Sequence, residues 1–297
     1  MTTVGFIGLG IMGRPMSVNL ARAGFDVIGY SRRPESADDL VAAGGKAAAS
    51  VSEVAGQADV LVLMLPDSPD VWQVVTGEDG VLASARPGLL LIDMSTIAPG
   101  TTVAVAEKAA EAGVRTLDAP VSGGEKGAID AALSIMVGGA ADDFAAALPV
   151  LRAMGKTIEH VGPSGAGQLV KAANQLLVGG IIGLVSEALL LVEAAGVDAR
   201  AAVRVLSGGL AGNRVLDAKA SGMLARSFQP GFRIDLHHKD MGIAAAAARE
   251  HGLALPLTSL VTELFVAARA QGLGSLDHSA LLEVVAGLSR PPAVPAG

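Results

Sequence analysis

A lysine and several side-chain amides lie close together just past the middle of the chain, at residues 165–175 (GAGQLVKAANQ). Lys171 and Asn174 are three residues apart, so they share a face if the segment is helical. An ammonium and an amide on one face can hydrogen-bond the oxygens of a small polar substrate, and a lysine can act as a general acid. The segment is therefore a candidate site for chemistry on a small polar molecule, with Lys171 as the candidate catalytic residue.

A glycine pattern near the N-terminus is typical of a dinucleotide site. Residues 3–7 form a short apolar strand pattern, G-x-G-x-x-G follows at Gly8–Gly13, and a helical pattern continues to about residue 23. In this context the glycines permit a tight turn, close approach of the backbone to a pyrophosphate, and packing of helix on strand. Free N–H groups at the helix start can then bind phosphates. An ordinary glycine-rich turn is the alternative, and the position directly after a strand disfavours it.

The residues after the second predicted strand bear on the choice between NAD and NADP. The strand pattern at residues 26–30 is followed by Ser31, Arg32 and Arg33, where an NAD-specific site carries Asp or Glu. A hydroxyl and guanidinium groups can instead pair with a 2′-phosphate. We therefore favour NADP(H) as the cofactor, with NAD(H) possible. The alternative is that both arginines are solvated loop charges.

Two further apolar strands end in turn-forming residues, at the edge where parallel sheets bind their ligands. The predicted strand at residues 60–65 ends in the segment Met64–Pro66, and the predicted strand at residues 89–92 is followed by Ser95 and Thr96. These hydroxyls can contact the nicotinamide, its ribose or the substrate. They can equally act as helix caps and turn formers, the usual roles of Ser and Thr.

Another short strand, at residues 115–117, leads into the segment Ser122–Gly124. Ser-Gly-Gly exposes consecutive backbone N–H groups beside a hydroxyl, which suits the capture of a carboxylate. A helix N-terminus capped by Ser122 is the other interpretation, and such a terminus also binds anions.

Strand patterns stop near residue 163, and helical patterns take over. The apolar segment at residues 167–195 predicts one long helix, buried by other helices, with a partner subunit as a further source of burial. The predicted fold class is α/β. An N-terminal Rossmann NAD(P)-binding domain at residues 1–163 is followed by an all-α C-terminal domain at residues 164–297, for substrate binding and oligomerisation.

A polar cluster interrupts the helical half at residues 232–241. His237 and His238 are adjacent and do not share a helix face, whereas metal-binding histidines on a helix normally lie at i and i+4. We therefore expect no metal. Lys239 and Asp240 can serve the cofactor or the substrate, but an ion pair at the surface is the default for isolated charges.

Composition narrows the classes of function. The 297 residues carry a net charge of −7, which disfavours a nucleic-acid-binding protein, and they include no cysteine, which excludes disulfides and thiolate chemistry. The longest apolar run, residues 176–185, is about half the length that a membrane span needs. We expect a cytoplasmic protein with a small-molecule substrate and neither nucleic acid nor membrane as a partner.

Four motifs, in order along essentially the whole chain, resemble those of the β-hydroxyacid dehydrogenase family. They are the cofactor motif Gly8–Gly13 with Pro15 and Met16, the substrate loop Asp118–Gly124, the catalytic helix Gly167–Gln175 and the pair Lys239–Asp240. The resemblance implies that Lys171 is catalytic. The substrate would contact Ser122, Gly123, Gly124, Asn174 and Thr96. The cofactor would contact Gly8, Leu9, Gly10, Ile11, Met12, Gly13, Ser31, Arg32, Arg33, Met64, Leu65, Pro66, Ser95, Thr96, Phe232 and Lys239.

The resemblance also implies a reaction, the NAD(P)H-dependent reduction of a short semialdehyde that carries a carboxylate. Stretches such as residues 208–212 and 230–237 favour tartronate semialdehyde (2-hydroxy-3-oxopropanoate) as the substrate, with glycerate as the product. The alternatives are a 3-hydroxyisobutyrate dehydrogenase, a glyoxylate/succinic semialdehyde reductase and, from another class, a non-catalytic NADP-binding protein. A homodimer or homotetramer built through the helical domain is implied as well.

Overall fold

The computed structural model of the chain describes residues 2–289. The chain divides into two compact units between Lys171 and Ala172. The boundary suggested by the sequence, after residue 163, falls in the loop before the helix that carries Lys171. Compactness instead assigns the first turns of that helix to the first unit.

The first unit alternates strands and helices. Its strands are β1 Thr3–Ile7, β2 Asp26–Tyr30, β3 Lys46–Ala47, β4 Val60–Leu63, β5 Leu90–Asp93, β6 Arg115–Asp118, β7 Val121–Ser122, β8 Leu133–Gly139 and β9 Gly155–Gly162. Its helices are α1 Gly13–Arg22, α2 Asp38–Ala42, α3 Val51–Gln57, α4 Ser68–Thr76, α5 Val81–Ser84, α6 Pro99–Glu111, α7 Gly124–Ile129 and α8 Ala141–Arg152. A 3₁₀ turn at Pro34–Ala37 precedes α2.

The strands form one sheet in the order β3-β2-β1-β4-β5-β6-β8-β7, with β9 on β8. All pairs from β3 to β6 are parallel, while β8 is antiparallel to both β6 and β7. Leu63 pairs with Asp93, and Asp93 pairs with Asp118. The carboxyl ends of β4, β5 and β6 therefore meet at one edge, so the loops that follow them lie together. The Rossmann prediction is confirmed.

Apolar residues on both faces of the sheet explain why these strands are buried. β4 reads VLVL and is buried at every position, as expected for a parallel strand covered on two sides. Phe6, Met16 and Leu20 pack on one face, and Leu61 and Leu91 pack on the other. Full burial of each such side chain contributes about 1.5–3 kcal/mol.

The second unit is helical, as predicted. It contains the greater part of α9 Ala166–Ala194, followed by α10 Ala199–Gly208, α11 Arg214–Leu224, α12 Ile234–Glu250, α13 Pro256–Ala270 and α14 Leu281–Leu288, with a 3₁₀ turn at His278–Ala280. Side-chain caps begin two of the helices. Asp198 accepts from the Arg200 N–H, and Asn213 accepts from the Leu216 N–H. Ile182, Met241 and Phe265 lie in its core.

Helix α9 is long and apolar enough to cross a membrane by length and composition, a test that the core helix of a soluble protein also passes. Ile182 and Leu189 on α9 are fully buried among the other helices of the second unit. We therefore interpret α9 as the central helix of that unit. Its burial is not complete, however, because Leu177, Leu184 and Leu191 are 60%, 68% and 71% exposed. The predicted burial by other helices of the chain therefore holds for one face of α9, and the face with these three leucines is the one left for the partner subunit that the sequence also suggested.

Candidate active site

The three motif glycines of the β1–α1 turn are glycines for different structural reasons. Gly8 has a φ of +103°, and a Cβ there would collide with the carbonyl oxygen of Met64. A Cβ at Gly13 would collide with the carbonyl oxygen of Gly8. Gly10, in contrast, has no protein atom within 4 Å of the place where its Cβ would be. Protein packing thus explains the first and third glycines, while the second leaves open space for a ligand against the backbone.

The start of α1 fits the phosphates of a dinucleotide. Met12 stands at the N-cap position and makes no side-chain capping hydrogen bond. N–H groups at an uncapped helix start carry the positive end of the helix dipole and can donate to a pyrophosphate. The Gly8 N–H donates to the carbonyl oxygen of Tyr30 at the end of β2, which places Ser31 next to this turn. Arg32 and Arg33 follow as exposed side chains.

Ser95 joins the loops that follow β4 and β5. Its hydroxyl accepts from the Leu65 N–H at 2.9 Å, and its own N–H donates to Asp93 Oδ1 at 3.0 Å. Ser95 is fully buried, and Thr96 beside it is half-buried. Helix α6 begins at Pro99 with Ala98 as its N-cap, so neither hydroxyl caps that helix. Ser95 therefore fixes the backbone of the segment Met64–Pro66 relative to Thr96.

Gln168, in the first turn of α9, binds the same loop from the other side. Its Oε1 accepts from the Ile97 N–H at 3.1 Å, and its Nε2 donates to the carbonyl oxygen of Ser95 at 2.9 Å. Gln168 is buried, with 1% of its surface exposed. This side chain thus ties the loop after β5 to the catalytic helix.

Asp118, the last residue of β6, caps the start of α9. Its carboxylate accepts from the Gly165 N–H at 2.8 Å and from the Gln168 N–H at 3.0 Å. Burial raises the pKa of Asp118, and the hydrogen bonds from these two backbone groups oppose that rise. A carboxylate at a helix N-terminus satisfies N–H groups that would otherwise lack a partner.

Lys171 lies one turn farther along α9, and its ammonium donates to the carbonyl oxygen of Val121 at 2.7 Å. Lys171 is 7% exposed. Ser122 follows Val121 in β7 and is half-buried, and then Gly123 and Gly124, with φ values of +138° and +61°, turn the chain. The N-cap of α7 is Gly123 without a side-chain bond, so the interpretation of Ser122 as its cap was wrong. The lysine and the Ser-Gly-Gly segment are brought together by the hydrogen bond to Val121.

The predicted residues of the second unit belong to a hydrogen-bonded chain. Asn174 Nδ2 donates to Gln175 Oε1 at 2.8 Å, and Gln175 Nε2 donates to Asp240 Oδ2 at 2.5 Å. Lys239 Nζ lies 3.1 Å from Asp240 Oδ1, an ion pair that does not have hydrogen-bonding geometry. The side chains of Lys239 and Asp240 are 19% and 2% exposed, so the expectation of a surface ion pair was wrong.

Phe232 packs edge-on against a pair of buried histidines. His237 and His278 face each other with 2.9 Å between their Nδ1 atoms, and His237 Nε2 lies 3.0 Å from the carbonyl oxygen of Gln175. A carbonyl only accepts, so His237 donates from Nε2, and its Nδ1 then accepts from His278 when both rings are neutral. The two histidines therefore hold α12 against α9.

Asp277 anchors the same cluster. Its carboxylate accepts from Lys219 Nζ at 2.9 Å, from the Gly231 and Phe232 N–H groups, and from Ser279. Burial raises the pKa of Asp277, but attraction to His278 and the hydrogen bond from Lys219 outweigh burial and hold this pKa at about 2. Among residues 2–289, no three His, Asp or Glu side chains are grouped to hold a metal ion.

Comparison with known protein families gives two matches, one to each half of the chain. Residues 3–162 match the family described as the NAD binding domain of 6-phosphogluconate dehydrogenase. Residues 165–285 match the family described as NAD-binding of NADP-dependent 3-hydroxyisobutyrate dehydrogenase. The chain is 43% identical to the 2-hydroxy-3-oxopropionate reductase of Escherichia coli, over 95% of this chain and 96% of that protein.

The chain belongs to the β-hydroxyacid dehydrogenase family.

Other members are similar over nearly the same length. A 2-(hydroxymethyl)glutarate dehydrogenase of Eubacterium barkeri is 38% identical over 95% of this chain and 94% of its own. A 3-hydroxyisobutyrate dehydrogenase of Pseudomonas aeruginosa is 39% identical over 89% and 91%. The solved 3-hydroxyisobutyrate dehydrogenase of Salmonella typhimurium matches with a TM-score of 0.89 and 30% identity, over 96% of this chain and all of that one. The structure of Psf3 in complex with NADP+ and 2-OPP matches with a TM-score of 0.87 and 26% identity, over 95% and 99%.

Membership in the β-hydroxyacid dehydrogenase family confirms the enzyme class predicted from the motifs. The protein is an NAD(P)-dependent oxidoreductase with β-hydroxyacid dehydrogenase activity, and it acts on a small-molecule substrate. A nicotinamide dinucleotide is its cofactor, in agreement with the open backbone at Gly10 and the uncapped start of α1.

The motifs did not lead to every polar residue of the site. Asp118, Gln168, Gln175 and Asp240 all lie within the motifs that carried the resemblance, yet no role was assigned to the first three, and Asp240 was considered only together with Lys239. All four are buried polar side chains next to apolar residues. That contrast is a usable signal, because buried polar groups are costly unless they are hydrogen-bonded.

Proposed function

We propose that this β-hydroxyacid dehydrogenase reduces a short semialdehyde that carries a carboxylate, with tartronate semialdehyde as its principal substrate and NADPH as the preferred donor. The observation that carries the proposal is the Lys171 ammonium, buried and 2.7 Å from the carbonyl oxygen of Val121. That contact keeps a proton donor next to the Ser122–Gly124 segment. A substrate with an aldehyde and a carboxylate a few bonds apart suits both.

Lys171 has two tasks in this scheme. Its ammonium hydrogen-bonds the substrate carbonyl oxygen and stabilises the negative charge that develops there. It then donates a proton to that oxygen, which completes the alcohol. A bound reduced nicotinamide supplies the hydride to the carbonyl carbon.

The carboxylate of the substrate is assigned to Ser122–Gly124. The left-handed backbone at Gly123 and Gly124 favours glycine, so the turn leaves these two positions without side chains. Both are exposed and directly follow the Ser122 hydroxyl. Backbone N–H groups beside a hydroxyl suit an anion. Asn174, three residues after Lys171 on α9, is assigned to a hydroxyl or carboxylate oxygen of the substrate.

The identity of the semialdehyde rests on similarity. The Escherichia coli relative named above is a 2-hydroxy-3-oxopropionate reductase, and its name describes tartronate semialdehyde. The Pseudomonas aeruginosa relative is named for 3-hydroxyisobutyrate, which makes methylmalonate semialdehyde the alternative. Glyoxylate and succinic semialdehyde are further candidates on chemical grounds.

The proposal of NADPH rests on Ser31, Arg32 and Arg33. They follow β2 directly, and both arginines are exposed and available to a 2′-phosphate.

We also propose that the enzyme is located in the cytoplasm.

A substrate panel tests the assignment. Purified protein is assayed with NADPH and with NADH against tartronate semialdehyde, glyoxylate, succinic semialdehyde and methylmalonate semialdehyde. We expect the highest kcat/KM for tartronate semialdehyde with NADPH. A higher kcat/KM for another aldehyde overturns the substrate, and a preference for NADH overturns the role given to the two arginines. Tight NADPH binding without reduction of any semialdehyde favours the non-catalytic alternative.

A further inference from the structure

We propose that Asp118 and Gln168 are positioning residues that set where the Lys171 ammonium lies relative to the Ser122–Gly124 segment. The inference rests on the proposed role of Lys171 as the general acid. Neither side chain is given contact with the substrate in the proposed reaction. Both act through the first turns of α9.

Asp118 and Val121 belong to one short segment, and each of them binds α9. The Asp118 carboxylate accepts from the N–H groups of Gly165 and Gln168, at 2.8 and 3.0 Å. Three residues later, the carbonyl oxygen of Val121 accepts from Lys171 Nζ at 2.7 Å. The segment from Asp118 to Val121 and the helix from Gln168 to Lys171 therefore close a ring. A shift of the helix start changes the reach of the lysine toward Ser122.

The carboxylate of Asp118 has almost no room to move. A Cβ at Gly138 would lie 2.5 Å from Oδ1, and a Cβ at Gly167 would lie 2.7 Å from Oδ2. The two glycines let the sheet and the helix approach the carboxylate closely from two sides. Asp118 itself is 1% exposed, so it acts as a rigid spacer between β6 and α9.

Gln168 holds the helix in a second direction. Its amide both accepts from the Ile97 N–H and donates to the carbonyl oxygen of Ser95. Ser95 in turn binds the Leu65 N–H. The start of α9 is thus fixed to the loops after β4 and β5 by Gln168, and to the end of β6 by Asp118. The carboxyl ends of β4, β5 and β6 therefore together fix the position of the Lys171 ammonium.

Isosteric variants test the inference. Asp118→Asn keeps the volume but replaces one acceptor oxygen by an N–H₂ group, so it cannot accept from both N–H groups. Gln168→Leu removes both amide hydrogen bonds. We expect each variant to lower kcat by about 10- to 100-fold, since small displacements of a catalytic group are costly. In Asp118→Asn the dissociation constant for NADPH, measured by fluorescence, should stay within about twofold, because the Asp118 side chain binds the start of α9 and not the loops assigned to the cofactor.

A primary kinetic isotope effect supplies a second readout. With NADPH deuterated at the transferred position, we expect a larger isotope effect on kcat in Asp118→Asn than in the wild type, because a misplaced acid makes the chemical step more strongly rate-limiting. Asp59→Asn is the matched control. Asp59 accepts from the Thr3 N–H at 2.9 Å, at the amino-terminal ends of β1 and β4. These ends lie opposite the strand ends that position Lys171, so this variant should keep the wild-type kcat and isotope effect.

A double-mutant cycle decides whether Asp118 acts through Lys171. In Lys171→Ala, an added primary amine replaces the lost ammonium and does not depend on the position of α9. Asp118→Asn should therefore have no further effect on the amine-rescued rate, although it slows the wild-type background about 10- to 100-fold. Multiplication of the two effects, or a wild-type kcat in both positioning variants, overturns the inference.

Failure of the proposed function gives a different result. The assays use whichever β-hydroxyacid or semialdehyde the wild-type enzyme converts fastest, so a wrong substrate assignment leaves the test intact. A fully active Lys171→Ala variant would remove the general acid and the proposed function together. If Asp118→Asn does not fold, Gln168→Leu carries the measurements of kcat, the isotope effect and the amine-rescued rate, because its loss leaves the Asp118 cap in place.

Discussion

Lys171 is a single ammonium group in a buried position, and its removal should slow the chemical step without weakening the binding of NADPH. We expect Lys171→Ala to lower kcat by about 10²- to 10⁴-fold, the usual contribution of a positioned general acid. The proposed phosphate contacts lie at Gly8–Gly13, so the dissociation constant for NADPH should change little. Steady-state kinetics and fluorescence titration measure the two quantities.

Lys126 offers a control for the loss of a lysine. Its ammonium pairs with Asp130 on the exposed face of α7, and its side chain is 88% exposed. Lys126→Ala should retain the wild-type kcat. Near-normal turnover in Lys171→Ala would remove the proposed catalytic role, whatever substrate the enzyme uses.

Arg32 and Arg33 should determine the preference for NADPH. Replacement of both by alanine removes charge-assisted hydrogen bonds to a 2′-phosphate, each worth about 1.5–3 kcal/mol. Loss of one such bond from each arginine should raise KM for NADPH by about 10²- to 10⁴-fold, whereas KM for NADH should remain within about twofold. The measurement is the ratio of kcat/KM for the two cofactors.

Arg22→Ala is the matched control for the arginine prediction. Arg22 is also exposed and lies in the last turn of α1, away from the end of β2. Its loss should leave the cofactor ratio unchanged. Equal losses of kcat/KM with NADPH and NADH in the double variant would mean that the arginines do not bind the 2′-phosphate.

The roles of individual residues could be predicted from the sequence where a motif supplied the context. Gly10 was assigned to the pyrophosphate, and its open surroundings agree with that role. Asp118 and Gln168 were not assigned roles, because their partners lie about 50 and 70 residues away in the chain. Hydrogen bonds of such separation leave no periodic pattern, so only the folded chain reveals them.

At the scale of elements, long apolar segments were predictable and short ones were not. β4 is a continuous apolar run, β5 is apolar up to its last residue, Asp93, and α9 has the length and composition of a core helix. β3 and β7 have two residues each, too few for an alternating pattern to appear. The antiparallel direction of β8 follows from its pairing with β6, which no local pattern encodes.

The buried carboxylate of Asp277 binds Lys219 on α11, the Phe232 N–H before α12 and Ser279 in the His278–Ala280 turn. Its protonation should therefore destabilise the helical unit in acid. The folded pKa of Asp277 is about 2, below its ordinary value of 3.8. A depressed pKa means that the folded state favours the carboxylate. This stabilisation is complete above the ordinary pKa and is lost as the pH falls through about 2. Urea unfolding followed by circular dichroism between these values should show the loss.

Asp277→Asn should abolish that part of the pH dependence and lower stability at neutral pH, because Lys219 then loses its charged partner. Asp235→Asn is the control in the same unit, since Asp235 pairs with Arg269 at a site where both side chains are about half exposed. Its pH profile should follow the wild type. A wild-type slope in Asp277→Asn would exclude Asp277 as the source of the acid sensitivity.

Gly179 lets α12 and α13 approach α9. A Cβ there would lie 3.2 Å from His237 Nε2 and 3.3 Å from the ring of Phe265. We expect Gly179→Ala to destabilise the helical unit by about 1–3 kcal/mol, the range for overpacking, despite the better helix propensity of alanine. Gly242→Ala on α12 has open space at its Cβ and should instead gain up to about 1 kcal/mol. Denaturant midpoints distinguish the two outcomes.

For the whole molecule, the exposed stripe on α9 is a candidate surface for association. Leu177, Leu184 and Leu191 recur every seven residues and are 60–71% exposed. Apolar residues at this spacing form the seam between paired helices, and exposed apolar patches of this kind mark interaction sites. We propose that a second copy of the chain covers the stripe, as the predicted homodimer or homotetramer requires.

Leu184→Glu places a charge in the middle of this stripe and should dissociate the oligomer, because a buried charge without a partner is strongly unfavourable. Sedimentation velocity at micromolar concentration should show a shift to the monomer. Val41→Glu puts the same charge on α2, at a side chain that is 50% exposed, and should not change the mass. If the wild type is already monomeric, or if Leu184→Glu keeps the wild-type mass, then α9 does not mediate association. The exposed leucines would in that case need a different partner.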